Sequence, residues 1–510
     1  MIWNIAKKEL LLNLMTFKFA VGVALCAALV GIFVPALIGD YRQSRAEYDK
    51  HVAEREAQLR QSRVYINVLW GGRYRLYRPP PVLSVFSAGS HKRLQDSAQI
   101  SLTDIPEMSS RPIAVNPYAA TVPMLDVSSI LAVVLSLLAV LIASDAISGE
   151  RECGTLRLTL SAPVPRHNVL LGKVLAGLMT LLLPLTITFL ISTLILISSS
   201  QVDLKAADGA RLGLMYGISL LFVAAMYNLG LLASCLTRRS SVSLLSALFL
   251  WILLVQIVPN AGAYLAAHIN PIEPQEAINS RLEIVVNERN KEVGELEDRI
   301  GYAGEEIASE DMFGQWCVIV CDEAGMKNRQ QRFAAGFPVR AKYAEKSWQI
   351  RHRYTTDLLR QKTLADQLAR LSPIAAYQNA MAALAGTDVA ASQHFIDKGR
   401  DHRTEVIEYL RARTDGFSSP RYFTQCTETD RAFYQEYLDK LLSEEDLQKW
   451  KTRKLARMQP LDLQDFPHFA YRNDVMAALR GALADTSALA LAGLLFFALS
   501  FSAFMRYDIR

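Results

Sequence analysis

Charge is almost absent from six separate stretches of this chain: 19–38, 127–147, 174–198, 212–236, 242–267 and 484–505. Each is about 20 residues long or more, and 20 residues of α-helix rise about 30 Å, the thickness of a bilayer's hydrocarbon core. The pattern predicts six transmembrane helices. The segments between them are as charged as any soluble helix bundle. Residues 1–18 precede the first span, 39–126 separate the first two, 148–173 form a short loop, and 268–483 separate the fifth and sixth. The first apolar run exceeds the roughly 7–15 residues of a signal-peptide core, and no clean A-x-A site follows it, so it reads as a retained helix.

Lysine and arginine in the short connections fix an orientation. Lys7, Lys8 and Lys18 precede the first span. Arg151, Arg157, Arg166 and Lys173 lie between the second and third, Arg238 and Arg239 between the fourth and fifth, and Arg506 and Arg510 after the sixth. With six spans all four groups fall on one side, which is then cytoplasmic, as are both termini. Segments 39–126 and 268–483 become extracytoplasmic. The first opens with a charged continuation of the first helix, from Tyr41 to about Arg63. Gly71, Gly72 and the run Pro79, Pro80, Pro81 then rule out a long helix. The second reads mainly helical: Ile278, Leu282, Val285 and Val286 recur at helical spacing, and Trp348, Tyr354, Leu358, Leu364 and Leu368 follow a similar rhythm. These suggest a helical hairpin. The fold class expected is an all-α membrane protein with two extracytoplasmic regions, the second a mainly helical domain.

Composition agrees: 51% of the residues are hydrophobic, and the mean hydropathy is slightly positive at +0.15. The net charge of +5 is mild and not gathered into a basic tract, which argues against nucleic-acid binding. Six cysteines in 510 residues are too few for a disulfide scaffold.

The sharpest motif follows the second span. It runs from Asp145 through Gly149, Glu150, Arg151, Glu152, Cys153, Gly154, Thr155 and Leu156 to Arg157. Pro163, Pro165 and Arg166 come next, then Gly172 and Lys173 at the start of the third span. This resembles the loop after the second helix in type-2 ABC exporter permeases, where an acidic residue, Gly-Glu, a basic–acidic pair and Gly-Thr-Leu precede a Pro/Arg turn and Gly-Lys. The N-terminal segment 1–18 looks like that family's interfacial elbow helix. Leu371, Ser372 and Pro373, with Gly386, Thr387 and Asp388 past an apolar stretch, resemble the subgroup with a large insert before the last helix. The resemblance implies a transmembrane subunit without its own catalytic site. A separate ATPase chain would carry ATP and Mg, and a second permease copy or a related chain would pair with this one in a bacterial inner membrane. It also implies an ATPase-coupling role for Asp145, Glu150, Arg151, Glu152, Gly154, Thr155 and Leu156. In physical terms the glycines permit turns, the charges offer contacts to a soluble partner, and Thr155-Leu156 can open a short helix. The plainer reading is a solvated loop obeying the positive-inside rule, but topology does not require two carboxylates there.

Other constellations are weaker. Gly172-Lys173 is no phosphate loop, since His167 stands where its first glycine belongs and Val174 where Ser or Thr belongs. No G-x-S-x-G or H-E-x-x-H pattern occurs, and no metal set is expected. Cys317 and Cys321, four apart, and Cys426 fall in the large outer segment, where a disulfide, free thiols or a metal all remain open. Asn228, Gln256 and Asn260 sit in apolar spans and either line a pathway or bond a neighbouring helix, the commoner use of an amide. Asp126 and Asp485 are expected to be solvated at helix ends. Intramembrane charge is otherwise scarce, against a carrier built on buried carboxylates. Three functions compete: a transport permease, a non-transporting mechanotransmitter that passes ATPase-driven motion to an extracytoplasmic partner, and a receptor. A receptor has no cytoplasmic domain here to pass a signal on.

Overall fold

The computed structural model describes residues 2–69, 74–91, 93–108, 126–161, 164–199, 204–304, 306–310, 316–320, 323–419, 422–423, 432, 436 and 443–506. Among the described residues 79% are helical, and six helices are long and apolar enough to cross a membrane. It is an all-α membrane protein.

A short helix α1, Ile2–Leu14, precedes α2, Phe17–Gln61. The 45 residues of α2 rise about 68 Å, over twice a bilayer core, so the first span continues unbroken well beyond its apolar run. After the short helix α3, Ile66–Leu69, strands β1, Arg75–Tyr77, and β2, Ser97–Gln99, pair antiparallel with Arg75 opposite Gln99. The second span, α4, runs from Val127 through a π turn at Leu131–Leu135 to Ser144. Two short helices follow, α5 at Ser148–Glu152 and α6 at Thr155–Ser161. The third span, α7, is Arg166–Ile197, and the fourth, α8, is Ala206–Leu236. The fifth, α9, is Ser240–Ile269 with a π turn at Leu253–Ile257.

Beyond the fifth span come α10, Gln275–Ile300, strands β3, Glu306–Glu310, and β4, Trp316–Val320, and then α11, Glu323–Ala369. The strands are an antiparallel pair with Ser309 opposite Cys317. Helices α10 and α11 form a hairpin cross-linked by charge: Glu292 accepts from the Tyr343 hydroxyl at 2.7 Å and the Lys342 ammonium at 3.0 Å. The chain closes through α12, Pro373–Ala385, α13, Val389–Arg413, α14, Glu444–Arg457, and the sixth span α15, Val475–Met505.

Helix α8 is the axis of the bundle, packed by α4, α7, α9, α12 and α15. The crossing with α7 is close enough that a Cβ on Gly177 would lie 2.1 Å from the Tyr227 ring, so no larger residue fits. Helix α12 is too short to span a bilayer, yet it lies inside the bundle's far end rather than in the polar domain. Tyr377 stacks on Phe222 with centroids 4.4 Å apart, and its hydroxyl lies 3.0 Å from the Ser219 hydroxyl of α8. The Ser372 hydroxyl bonds the Leu254 carbonyl that the π turn of α9 frees. Arg370 meets Asp485 of α15 at 2.7 Å.

Two sequence expectations change here. Asp485 is only 5% exposed and paired, not solvated. Asp126 is also buried; its carboxylate accepts from the Ser129 amide and the Ala88 amide, each at 2.7 Å, and from the Ser128 hydroxyl at 2.8 Å. The first-turn amides of α4 need an acceptor away from water, and Asp126 supplies it.

The two polar segments, far apart in sequence, share one hydrophobic core. Tyr74, Leu76 and Ile100 of the first pack with Phe395, Val406 and Leu410 of the second. Buried Arg78 ties them as well, donating to the Ser392 hydroxyl at 2.8 Å and the Gly386 carbonyl at 2.6 Å.

Candidate functional site

The loop after the second span folds into a compact corner in which each charge reaches a different element. Helix α5 starts because the Ser234 hydroxyl of α8 accepts the Ile147 and Ser148 amides, at 3.0 and 2.9 Å. One residue of the fourth span thus caps the helix that carries Glu150, Arg151 and Glu152.

Glu150 turns back into the protein. Its Oε1 takes a hydrogen bond from the Lys173 ammonium at 2.9 Å, and the same ammonium reaches Glu9 of α1 at 3.0 Å. Lys173 is 3% exposed, so one buried cation holds α1, α5 and α7 together. Two carboxylates on one desolvated ammonium make removal of the ammonium costly. The backbone carbonyl of Lys173 accepts from the Tyr227 hydroxyl at 3.1 Å, tying α8 to the same point.

Arg151 donates from Nη1 to the Cys235 and Thr237 carbonyls, at 3.0 and 2.9 Å. Those are carbonyls at the C-terminal end of α8, where no intrahelical partner remains and the helix dipole favours a cation. Glu152 does the converse for α9: its Oε2 accepts from the Ser240 amide at 2.9 Å and hydroxyl at 2.6 Å, at that helix's first residue. Asp145 meets Lys18 of α2 at 2.7 Å. Asp145, Glu150, Arg151 and Glu152 thereby bind the first, third, fourth and fifth spans around one five-residue helix. Sequence reading offered Glu150, Arg151 and Glu152 as charges for a soluble partner, and the resemblance gave Asp145 a coupling role; all four are bonded within the chain. Sequence reasoning missed their partners Lys18, Glu9, Lys173, Ser234 and Ser240. Lys18 and Lys173 carried a signal, as lysines opening apolar runs.

What faces outward is α6. Gly154, with φ of +75°, makes the turn between α5 and α6 in a conformation that favours glycine. Thr155 starts α6, and its hydroxyl bonds the Glu150 carbonyl at 3.3 Å. Leu156 is fully buried, whereas Leu158 is 73% exposed with Arg157 exposed beside it. One leucine anchors this short helix and the next is presented to solvent.

The remaining expected residues lie apart. Asn228 of α8 donates to the Gly493 carbonyl of α15 at 3.3 Å, a helix-packing bond. Gln256 and Asn260 are exposed on α9, where the Asn260 amide bonds the Gln256 carbonyl at 2.7 Å. Cys317 stands on β4, while Cys321 and Cys426 lie outside the described residues. Among the described residues no group of three or more metal-ligating side chains occurs.

Six membrane helices gathered by a charged corner, with a short helix presented at the end of the bundle, define a polytopic membrane subunit of the transporter type. The chain belongs to the ABC-2 transporter family, whose model, described as ABC-2 family transporter protein, matches residues 3–509. It is a type-2 ABC permease, a membrane subunit that works with an ABC ATPase. No curated protein matches the chain.

Proposed function

We propose that this permease is an export subunit driven through α6 by a separate ATPase, which holds the ATP and Mg. The observation that carries this reading is the pairing of an exposed helix with a stapled base. Leu158 and Arg157 offer an apolar contact and a charge, while Glu150, Arg151 and Glu152 fix the adjoining helix to three spans. A push on α6 then reaches the bundle without being lost in loop motion. Among the motif residues, Asp145, Glu150, Arg151 and Glu152 transmit, Gly154 and Thr155 set the turn, and Leu156 anchors.

The basic corner faces the cytoplasm of a bacterial inner membrane, with both termini inside and the domain containing α10, α11 and α13 outside. A second copy, or a related chain, packs against α9. That helix is little covered, and Gln256 is an exposed amide that hydrocarbon would leave poorly satisfied.

The test uses the full chain reconstituted with its cognate ATPase. Leu158→Asp is expected to abolish stimulated ATP hydrolysis and co-purification while membrane insertion is retained; unchanged hydrolysis would end the coupling role for α6. Cysteine labelling at Arg157 from outside intact cells is expected to fail, and success would reverse the orientation.

The second reading, a mechanotransmitter that moves no cargo, is favoured by α2, one uninterrupted helix of 45 residues from the corner into the outer domain. Such a helix is a lever. ATP-dependent displacement of labels on the outer domain, with no flux of any amphiphile in proteoliposomes, would select it over export.

A further inference from the structure

At the far end of the bundle an open cleft of about 670 Å³ lies between α2, the start of α8, the end of α12 and the start of α15. Its charged lining is unbalanced: Arg45, Lys205, Arg211 and Arg472 face only Asp49 and Asp208. Arg45 is already paired with Asp49 at 3.0 Å. Arg211 is the unusual member. It is 5% exposed, its Nε is buried without a partner, and its nearest carboxylate, on Asp208, stands 3.7 Å from Nη1, beyond hydrogen-bond reach. A buried guanidinium whose Nε has no acceptor, and whose ion partner stands beyond hydrogen-bond distance, is costly, and such a group implies a missing acceptor.

The surroundings specify the acceptor further. Arg211 directly precedes the apolar run of α8, and the other wall includes Val82, Leu83 and Val475. Leu83 belongs to the core of the membrane bundle. A cationic floor beside an apolar wall, at the depth where a span leaves the hydrocarbon, matches an anionic head on an acyl tail. We propose that this cleft binds a phosphate-class anion, delivered as the headgroup of an anionic membrane amphiphile, with Arg211 as its principal ligand and Lys205 and Arg472 as the outer rim. The inference does not rest on the coupling role of α6 or on the direction of transport.

Thermal unfolding of the purified full chain in detergent tests it, with phosphatidylglycerol, phosphatidylcholine or inorganic phosphate added. Phosphatidylglycerol is expected to raise the unfolding temperature and phosphatidylcholine to leave it unchanged. Arg211→Gln is expected to weaken the phosphatidylglycerol effect by roughly tenfold or more in apparent affinity. Without lipid the same variant unfolds at about the wild-type temperature, because Arg211 loses only a 3.7 Å ion pair with Asp208 and no bond from Nε; a merely structural arginine would give a clear loss. An equal effect from inorganic phosphate would support the anion site and assign its ligand to the aqueous phase. Should Arg211→Gln fail to fold, the exposed rim variant Lys205→Gln with Arg472→Gln gives the same reading, expected at about three- to tenfold. No response of the wild-type chain to either anion, or equal responses in wild type and the foldable variant, overturns the proposal.

Discussion

The two ends of the bundle are closed by opposite means. At the corner, a five-residue helix is held by charge: Lys173 between Glu9 and Glu150, Arg151 on the last carbonyls of α8, Glu152 on the first turn of α9. At the far end, the 13-residue apolar helix α12 is held mainly by buried side chains, many of them alanines, with hydroxyl bonds from Tyr377 and Ser372 and a single ion pair, Arg370–Asp485. Charge-assisted bonds are directional and fail when their geometry changes. Alanine packing against helix faces is non-directional and tolerates small displacements. The corner is therefore the rigid end, and the α12 closure is the end able to slide.

Cutting the corner should cost most. Lys173→Met leaves two carboxylates facing each other in a largely buried site, with an expected loss of about 3 kcal/mol in unfolding free energy. The double variant Lys173→Met with Glu150→Gln should recover part of it. Equal stability of the single variant and wild type in detergent would show that the corner is not held by charge. Ser234→Ala, which removes the cap of α5, is expected to cost about 1–2 kcal/mol, read from the same unfolding curves. At the opposite end the double change Arg370→Gln with Asp485→Asn, which leaves no buried charge unpaired, should cost only about 1 kcal/mol, because α12 keeps its packing. A loss larger than that of Lys173→Met would invert the comparison.

The sequence made one of these ends legible and hid the other. Six spans could be read because hydrocarbon demands about 20 uninterrupted apolar residues, a signal that is local and strong. The corner motif could be read for the same reason of locality: Asp145 to Leu156 is one continuous string. Its partners could not, since Lys18, Lys173 and Ser240 are brought to it only by helix packing. Helix α12 was unreadable as part of the bundle because 13 residues fail the length test for a span, and length was the only criterion the sequence offered. Asp485 followed from that omission. With α12 absent nothing pointed to Arg370, and a carboxylate at a helix edge reads as solvated. Arg211 stands in the sequence three residues after Asp208, one charge among its neighbours, and only burial distinguishes it.

The smallest effect expected separates the polar domain from the corner by acidity. His402 is buried in the domain core, where its Nε2 lies 2.9 Å from the Tyr74 hydroxyl. Burial, then the charge of Arg55 and that of His468, push its pKa from 6.5 down to about 4; Glu405, 3.6 Å from Nδ1, is itself exposed and screened. The folded value lies below the unfolded one, so the unfolded chain takes up the proton first. Stability is then fully present above about pH 6.5 and is lost progressively as pH falls from there toward 4. Between pH 7 and pH 6 the loss amounts to about 0.7 kcal/mol. The corner is stapled by lysine, arginine and carboxylates, with no histidine among the groups that hold it. Hydrogen exchange, corrected for intrinsic rates, should therefore show α13 loosening between pH 7 and 6 while α5 stays protected. His402→Gln should flatten the response of α13. A corner that softened in step with the domain would mean that the two ends unfold as one unit, and their different construction would then have no thermodynamic consequence.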